Sequence, residues 1–287
     1  MKLSLGTVQL GVHYGVNNTK GMLTDAEANT LLATARRAGF TMLDTSSEYG
    51  LAEERIGKYL QAHPDAFEVN GKYNAAYPRE KILALIEQSK RRMSRVDHIM
   101  YYCIGVDIAK LNPEGADGVS VYDVAEAETV HSLPYKNIQV PASILDGRMD
   151  AELRVLRSLG KRTFVRSLLL QGLLSEPYGG VLRGNVGNGA FIEAAKPYLI
   201  GLREIADEND MSVVEMAVRW AWHLDPDVAI FGAETPQQVN NIGVYWKKGP
   251  LHKYVVDQVM NLRLGIPDIV ISPRLWGQVY DFTPAKA

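Results

Sequence analysis

The sequence predicts a closed (β/α)₈ barrel, and three observations carry that expectation. Short β-like runs alternate with helix-length amphipathic segments from end to end, the pattern of a parallel sheet with helices outside it. Eight such units fit into 287 residues, which suits one closed barrel better than an open doubly wound sheet. No linker or break in composition interrupts residues 1–287, so the chain reads as one domain.

LSLGTVQL (3–10) is the first strand, and a helix from about Asp25 to Ala38 follows it. Thr24 and Glu27 open that helix as a capping box, in which hydroxyl and carboxylate each take a backbone N–H. FTMLD (40–44) leads to a helix near 51–61, and FEVNGKY (67–73) to one near 78–93. DHIMYYC (97–103) and DGVSVYD (117–123) are the fourth and fifth strands. Only 13 residues separate Cys103 from Asp117, so the fourth crossover is shortened to one or two helical turns near 106–111. NIQVPA (137–142), TFVRSLLL (163–170) and VAIFGA (228–233) complete the eight, with helices at 123–132, 149–159, 190–209 and 213–223. Ser212-x-x-Glu215 is a second capping-box pattern. Two segments lack either period: the Gly-rich SEPYGGVLRGNVGNG (175–189) and the proline-containing tail 263–287. Irregular segments at the C-terminal face of a barrel build sites, so the tail is a candidate border of a substrate pocket.

Composition narrows the function. With 46% hydrophobic and 22% charged residues the chain has the make-up of a globular protein. A net charge of -2 gives no electrostatic drive toward nucleic acid or membrane. No apolar run approaches the ~20 residues of a membrane helix, and MKLSLGTVQLG lacks the features of a signal peptide. Cys103 is the single cysteine and the six histidines show no paired-ligand spacing, so no disulfide or metal site is expected. These features describe a cytoplasmic protein that handles a small molecule.

In a barrel, residues closing each strand share one mouth. Asp44 ends the second strand, Tyr49 lies in the loop after it, and Lys72 ends the third. A phenol near pKa 10 is a poor acid at neutral pH. A neighbouring ammonium lowers that value, and a carboxylate holds the ammonium charged, so the trio has the parts of a proton donor for a nascent alkoxide. Taken alone, it reads more readily as a buried Lys–Asp pair beside a packing tyrosine.

The surrounding motifs change that balance. DTSSEYG (44–50) followed by AEERIG (52–57) resembles the aldo-keto reductase superfamily, whose second strand and following helix read DTA-x-x-YG-x-x-E-x-x-(I/L)G. The resemblance runs along most of the chain, through LGTVQLG (5–11), GKYN (71–74), GVSVYD (118–123), IQVPASILDGR (138–148), SLLLQGLLSE (167–176) and GAETPQQVNNIG (232–243). It implies a TIM barrel carrying a nicotinamide cofactor across its mouth, hydride delivered to a carbonyl carbon, and Tyr49 as general acid with Asp44 and Lys72 behind it. It also places Gly6 and Thr7 at the cofactor, Gln139 and Ser120 at the carboxamide, and Ser167, Leu168 and Gly172 along the pyrophosphate. Gly232, Glu234, Gln238 and Asn241 fall at the adenosine end. There Thr235-Pro236-x-Gln238 starts a capped helix whose free N–H groups suit an anion.

Three departures from the family pattern bear on function. Where the fourth strand of relatives ends in a histidine, five residues beyond its aspartate, this chain has Tyr102, with Cys103 beside it. Alternation turns only one of the two into the barrel, and the spacing selects Tyr102. A phenol can also donate to a substrate carbonyl, so Tyr102 is either a substrate-orienting residue or inert packing in a site that has lost reductase activity. His98 opens its strand, far from the mouth; His13, in the first loop, is either a substrate contact or an exposed loop residue. Second, the adenosine loop offers Glu234 where relatives specific for a 2′-phosphate often carry a cation, which favours NAD(H) over NADP(H) unless Arg183 or Lys247 reaches in. Third, Val121 and Ala142–Ser143 replace polar residues of the family, and the short fourth crossover opens that side of the mouth. The combination is most similar to a bacterial branch associated with surface polysaccharides and nucleotide sugars, which implies a polar, sugar-like substrate. Three readings therefore stand: a carbonyl oxidoreductase, a cofactor-binding sensor with little turnover, and altered chemistry such as C=C or C=N reduction or redox-neutral isomerisation.

Overall fold

Eight parallel strands, β1 (Lys2–Gly6), β2 (Met42–Ser46), β3 (Glu68–Asn74), β4 (His98–Tyr102), β5 (Gly118–Ser120), β6 (Asn137–Pro141), β7 (Arg162–Arg166) and β8 (Val228–Gly232), pair in chain order, and β8 closes on β1. This is the expected (β/α)₈ barrel, seen in a computed structural model that describes residues 1–18, 21–102, 105–112, 115–175 and 190–276. Cys103, Arg183, residues 176–189 of the Gly-rich segment and 277–287 of the tail lie outside the described residues. No helix among the described residues is long and apolar enough to cross a membrane.

Helices α1 (Asp25–Ala38), α2 (Ala52–Ala62), α3 (Arg79–Met93), α4 (Val124–Thr129), α5 (Asp150–Ser158), α6 (Ala190–Glu208), α7 (Val213–Leu224) and α8 (Pro236–Lys247) follow the strands as the sequence period requires. Thr24 and Glu27 form the capping box of α1, and Thr235 with Gln238 that of α8. Ser212 caps α7 from its side only: the Glu215 carboxylate instead accepts from Arg219 and Lys248. The fourth crossover is short, and its regular part is a single 3₁₀ turn, Ile108–Lys110.

Three expectations need adjusting. β1 stops at Gly6: the Thr7 N–H makes the last rung to the Asp44 carbonyl, joined there by the Thr7 hydroxyl, and Thr7 (ψ 8°) then turns the chain into the 3₁₀ segment Val8–Leu10. β7 stops at Arg166 because Ser167 adopts φ 63°, a left-handed conformation that breaks the strand. Two helices stand outside the expected set: α9 (Lys253–Leu262), just ahead of the tail, buries Val255 and Val259, and the single turn α10 (Asp268–Ile271), inside it, buries Val270 and Ile271.

Inside the barrel, Met42, Met100, Phe164, Val228 and Ile230 form an apolar cluster of their own. Residues two apart on a strand share a face, so Met42 on β2 brings Asp44 to the same interior one layer higher. The main core lies between sheet and helices; there Tyr101 and Tyr73 pack with Ile82 and Ile86 beneath α3. Tyr101 outward means Tyr102 inward, and it is Tyr102 that reaches the mouth.

Candidate active site

The strand ends open onto a cavity of about 780 Å³. Every residue assigned a role from the sequence lines it: Asp44, Tyr49, Lys72 and Tyr102, and the cofactor positions from Gly6 to Asn241. At its floor is a buried polar network that register assembles, since Asp44 pairs with Asn70 and Ser120 with Gln139 across neighbouring strands. Lys72 Nζ stands 2.5 Å from Asp44 Oδ2, while Asn70 Nδ2 at 2.7 Å and Gln139 Nε2 at 2.8 Å both donate to Oδ1. Ser120 Oγ donates to Gln139 Oε1 at 3.1 Å, and Lys72 Nζ lies 3.4 Å from the same oxygen. A buried charge pair survives desolvation only when its remaining valences are filled in this way.

Tyr49 is held above the network by its loop. Gly11 makes this possible: a Cβ there would lie 1.7 Å from the Tyr49 carbonyl oxygen. Gly50 (φ 51°) meets the same constraint from the other side: a Cβ there would lie 2.3 Å from the Gly11 carbonyl oxygen. Arg55 of α2 locks the two loops by donating to the Leu10 carbonyl and to Asp25. Lys72 Nζ consequently sits 5.4 Å from the centre of the Tyr49 ring.

The electrostatics refine the tuning idea. Burial pushes the Tyr49 phenol above its usual value of 10.0, and the Lys72 ammonium opposes that shift without cancelling it. Tyr49 is therefore a protonated donor at neutral pH, and the ammonium moderates its reluctance to ionise. Burial alone would push Lys72 down, but the Asp44 carboxylate outweighs it and holds the ammonium above the ordinary lysine value.

Tyr102 does not stand free. Its hydroxyl donates to Glu48 Oε2, and Tyr77 donates to Oε1 of the same carboxylate at 2.6 Å. A phenol has one proton and two lone pairs, so Tyr102 turns an acceptor toward the cavity instead of the donor expected in place of a histidine. Sequence reasoning missed Glu48, whose side-chain direction depends on a loop. It also missed Asn70, although Asn70 precedes Lys72 by two and alternation places it on the same face. Val121 is buried and contributes its carbonyl to Arg166, and the Ser143 hydroxyl caps the turn to Leu145 and Asp146. His13 binds the Asn18 carbonyl within its own loop, and His98 lies in β4's first position against Asp117.

The remaining wall suits a dinucleotide. Gln9 Oε1 is buried with no hydrogen-bond partner, and a Cβ on Gly232 would press to 2.9 Å from Gln9 Nε2, so backbone and orphan amide together leave a polar cradle. The N-terminus of α8 is a weaker anion site than expected. Pro236 has no N–H, Thr235 takes that of Gln238, and Gln238 takes those of Glu234 and Thr235, which leaves the Gln237 N–H in the first turn. Glu234 reaches back toward the first loop; burial pushes its carboxyl up, with His13 opposing. The lining residues from β8 and α8 include no lysine or arginine, and Lys247 is ~13 Å along the helix from Gln238 at 1.5 Å per residue.

Comparison with known proteins agrees with this arrangement. The model of the "Aldo/keto reductase family" matches residues 2–109 and 115–263. An uncharacterized oxidoreductase of Mycobacterium tuberculosis is 28% identical over 269 residues, covering 83% of this chain and 82% of the relative. Among solved structures, the glycerol dehydrogenase of Gluconobacter oxydans superposes with a TM-score of 0.69 at 19% identity, over 91% of this chain and 90% of that one. The holo form of an aldo-keto reductase from Bacillus halodurans gives the same TM-score at 20% identity, over 91% of both chains. These two structural likenesses speak to the fold alone.

Proposed function

This chain belongs to the aldo/keto reductase family, an oxidoreductase family that uses nicotinamide cofactors, and from that premise we propose that it reversibly reduces the carbonyl of a polar, sugar-like small molecule with NAD(H). The observation that carries the reading is the joining of Tyr49 to the buried Lys72–Asp44 pair at the floor of one cavity. The nicotinamide would supply the hydride, held by Gly6, Thr7, Gln139, Ser120, Ser167, Leu168 and Gly172, with Gly232, Glu234, Gln238 and Asn241 at the adenosine end. Tyr49 presents its hydroxyl proton to the carbonyl oxygen as negative charge develops there. Lys72 stabilises the phenolate that results, and Asp44, Asn70 and Gln139 keep the ammonium charged and fixed. Tyr102 and Glu48 offer acceptors to substrate hydroxyls, which supports a hydroxylated substrate over a plain aldehyde.

Glu234 favours NAD(H), because a carboxylate accepts from a free ribose diol and repels a 2′-phosphate. Titration with NADH and NADPH, followed by a panel of carbonyl compounds on the form that binds, tests the whole reading. Tighter binding of NADPH than of NADH would overturn the cofactor assignment. Absence of binding to either would overturn the oxidoreductase reading.

A further inference from the structure

Two cations in the cavity wall have no part in proton transfer at Tyr49. Arg166 closes β7, and Arg274 lies in the 3₁₀ turn Pro273–Leu275; both line the cavity. Their guanidinium carbons lie 4.4 Å and 3.7 Å from the centre of one ring, that of Tyr122. Arg148, the other arginine of the lining, is neutralised by a bidentate pair with Asp146 at 2.9 and 2.8 Å. Arg166 and Arg274 form no ion pair among the described residues, and Arg166 donates only to neutral oxygens of Val121, Ser120 and Ser167.

Two carboxylates stand in this neighbourhood without pairing either arginine: Asp123, which lines the cavity, and Glu126, which feels the charge of both guanidinium groups. Asp123 accepts the Glu126 N–H at the start of α4, and Glu126 accepts the Tyr122 N–H at 2.6 Å. Both guanidinium groups keep their charge at this wall of the cavity, and an anion reaching them would accept charge-assisted hydrogen bonds from their planar forks. The position is close to the chemistry. Arg166 leans on Ser120, Ser120 donates to Gln139, and Gln139 donates to Asp44.

We infer that the substrate is an anionic carbonyl compound whose carboxylate or phosphate is held by Arg166 and Arg274; this rests on the oxidoreductase reading of the cavity. The same chemistry exists in a cofactor's pyrophosphate, so the test must separate the two sources. The full chain, saturated with NADH, is titrated calorimetrically with glycerol 3-phosphate, glycerate and glycerol, and initial rates are taken on glyceraldehyde 3-phosphate and glyceraldehyde. Wild type is expected to bind both anions, and to favour the anionic aldehyde in kcat/KM, by about tenfold or more. R166M and R274M should each lose most of that preference, R166K should retain part of it, and added salt should weaken it.

Equal affinity for charged and neutral compounds, or a preference that persists in both methionine variants, would overturn the inference. Weakened NADH binding in those variants, with anion binding intact, would assign the arginines to the cofactor and also overturn it. Arginine-dependent anion binding without turnover of any carbonyl would uphold the anion site and sink the oxidoreductase reading alone.

Discussion

Replacing Lys72 with methionine leaves the Asp44 carboxylate buried without its cation. The two side chains are only 7% and 5% exposed, so little water reaches the carboxylate once the ammonium 2.5 Å away is gone. Removing one member of a buried pair costs ~3–5 kcal/mol. Asp44 keeps its donors from Asn70 and Gln139, which puts the expected loss at the low end, about 3 kcal/mol. At ~2.1 cal/mol/K of unfolding entropy per residue, 287 residues give ~600 cal/mol/K, and Tm should fall by about 5 °C. Adding Asp44→Asn should recover ~1–2 kcal/mol: both surviving donors point at Oδ1, so an asparagine can accept them while its nitrogen faces the methionine. Calorimetric or urea melts of wild type, K72M, D44N and the double variant complete the cycle. Because the folded-state pKa of Lys72 is raised, the pair's stabilisation is full below the unfolded value near 10.4 and is lost as pH rises through the folded one. A K72M protein within about 1 °C of wild type, or single losses that simply add, would refute a buried charged pair at this site.

Gly11→Ala should displace the Tyr49 loop, because the new Cβ would meet the Tyr49 carbonyl oxygen; a loss of about 10²-fold in kcat is expected, and wild-type rates would contradict the close approach. Tyr102→His restores a cavity donor to the family position, and reduction of a simple aromatic aldehyde should rise about tenfold in kcat/KM, the worth of roughly one hydrogen bond; no gain would mean that the Glu48–Tyr102 pair does not limit such substrates. The ultraviolet phenolate titration lost between wild type and Y49F should have its midpoint above that of a free tyrosine, and K72M should move it higher still, since the opposing ammonium is gone. A midpoint at or below the free-tyrosine value would contradict a burial-dominated Tyr49.

Periodicity reached the barrel, its helices and the meeting of Asp44 with Lys72, because strand alternation and parallel topology determine which side chains share an interior. Asn70 was equally within reach of that rule. Glu48 was not: its grip on Tyr102 and Tyr77 depends on the path of the loop 46–51, which no short-range pattern encodes. Likewise β1 and β7 end where the backbone turns at Thr7 and takes a positive φ at Ser167, conformations that the strand pattern does not mark. The convergence of Arg166 and Arg274 on Tyr122 joins residues more than a hundred positions apart through a segment outside the eightfold repeat. Helix α9 did carry a legible signal, with Val255 and Val259 one turn apart, but it follows the last barrel unit and has no place in that repeat.

The most direct measurement is the single-turnover oxidation of bound NADH by a carbonyl substrate in wild type and Y49F, with NADH affinity determined on both. Tyr49 as proton donor requires hydride transfer to slow by about 10²–10⁴-fold in Y49F, while the Kd for NADH stays within about twofold because the phenol makes its contribution only as the carbonyl is reduced. Equal single-turnover rates in the two proteins would show that the proton comes from elsewhere.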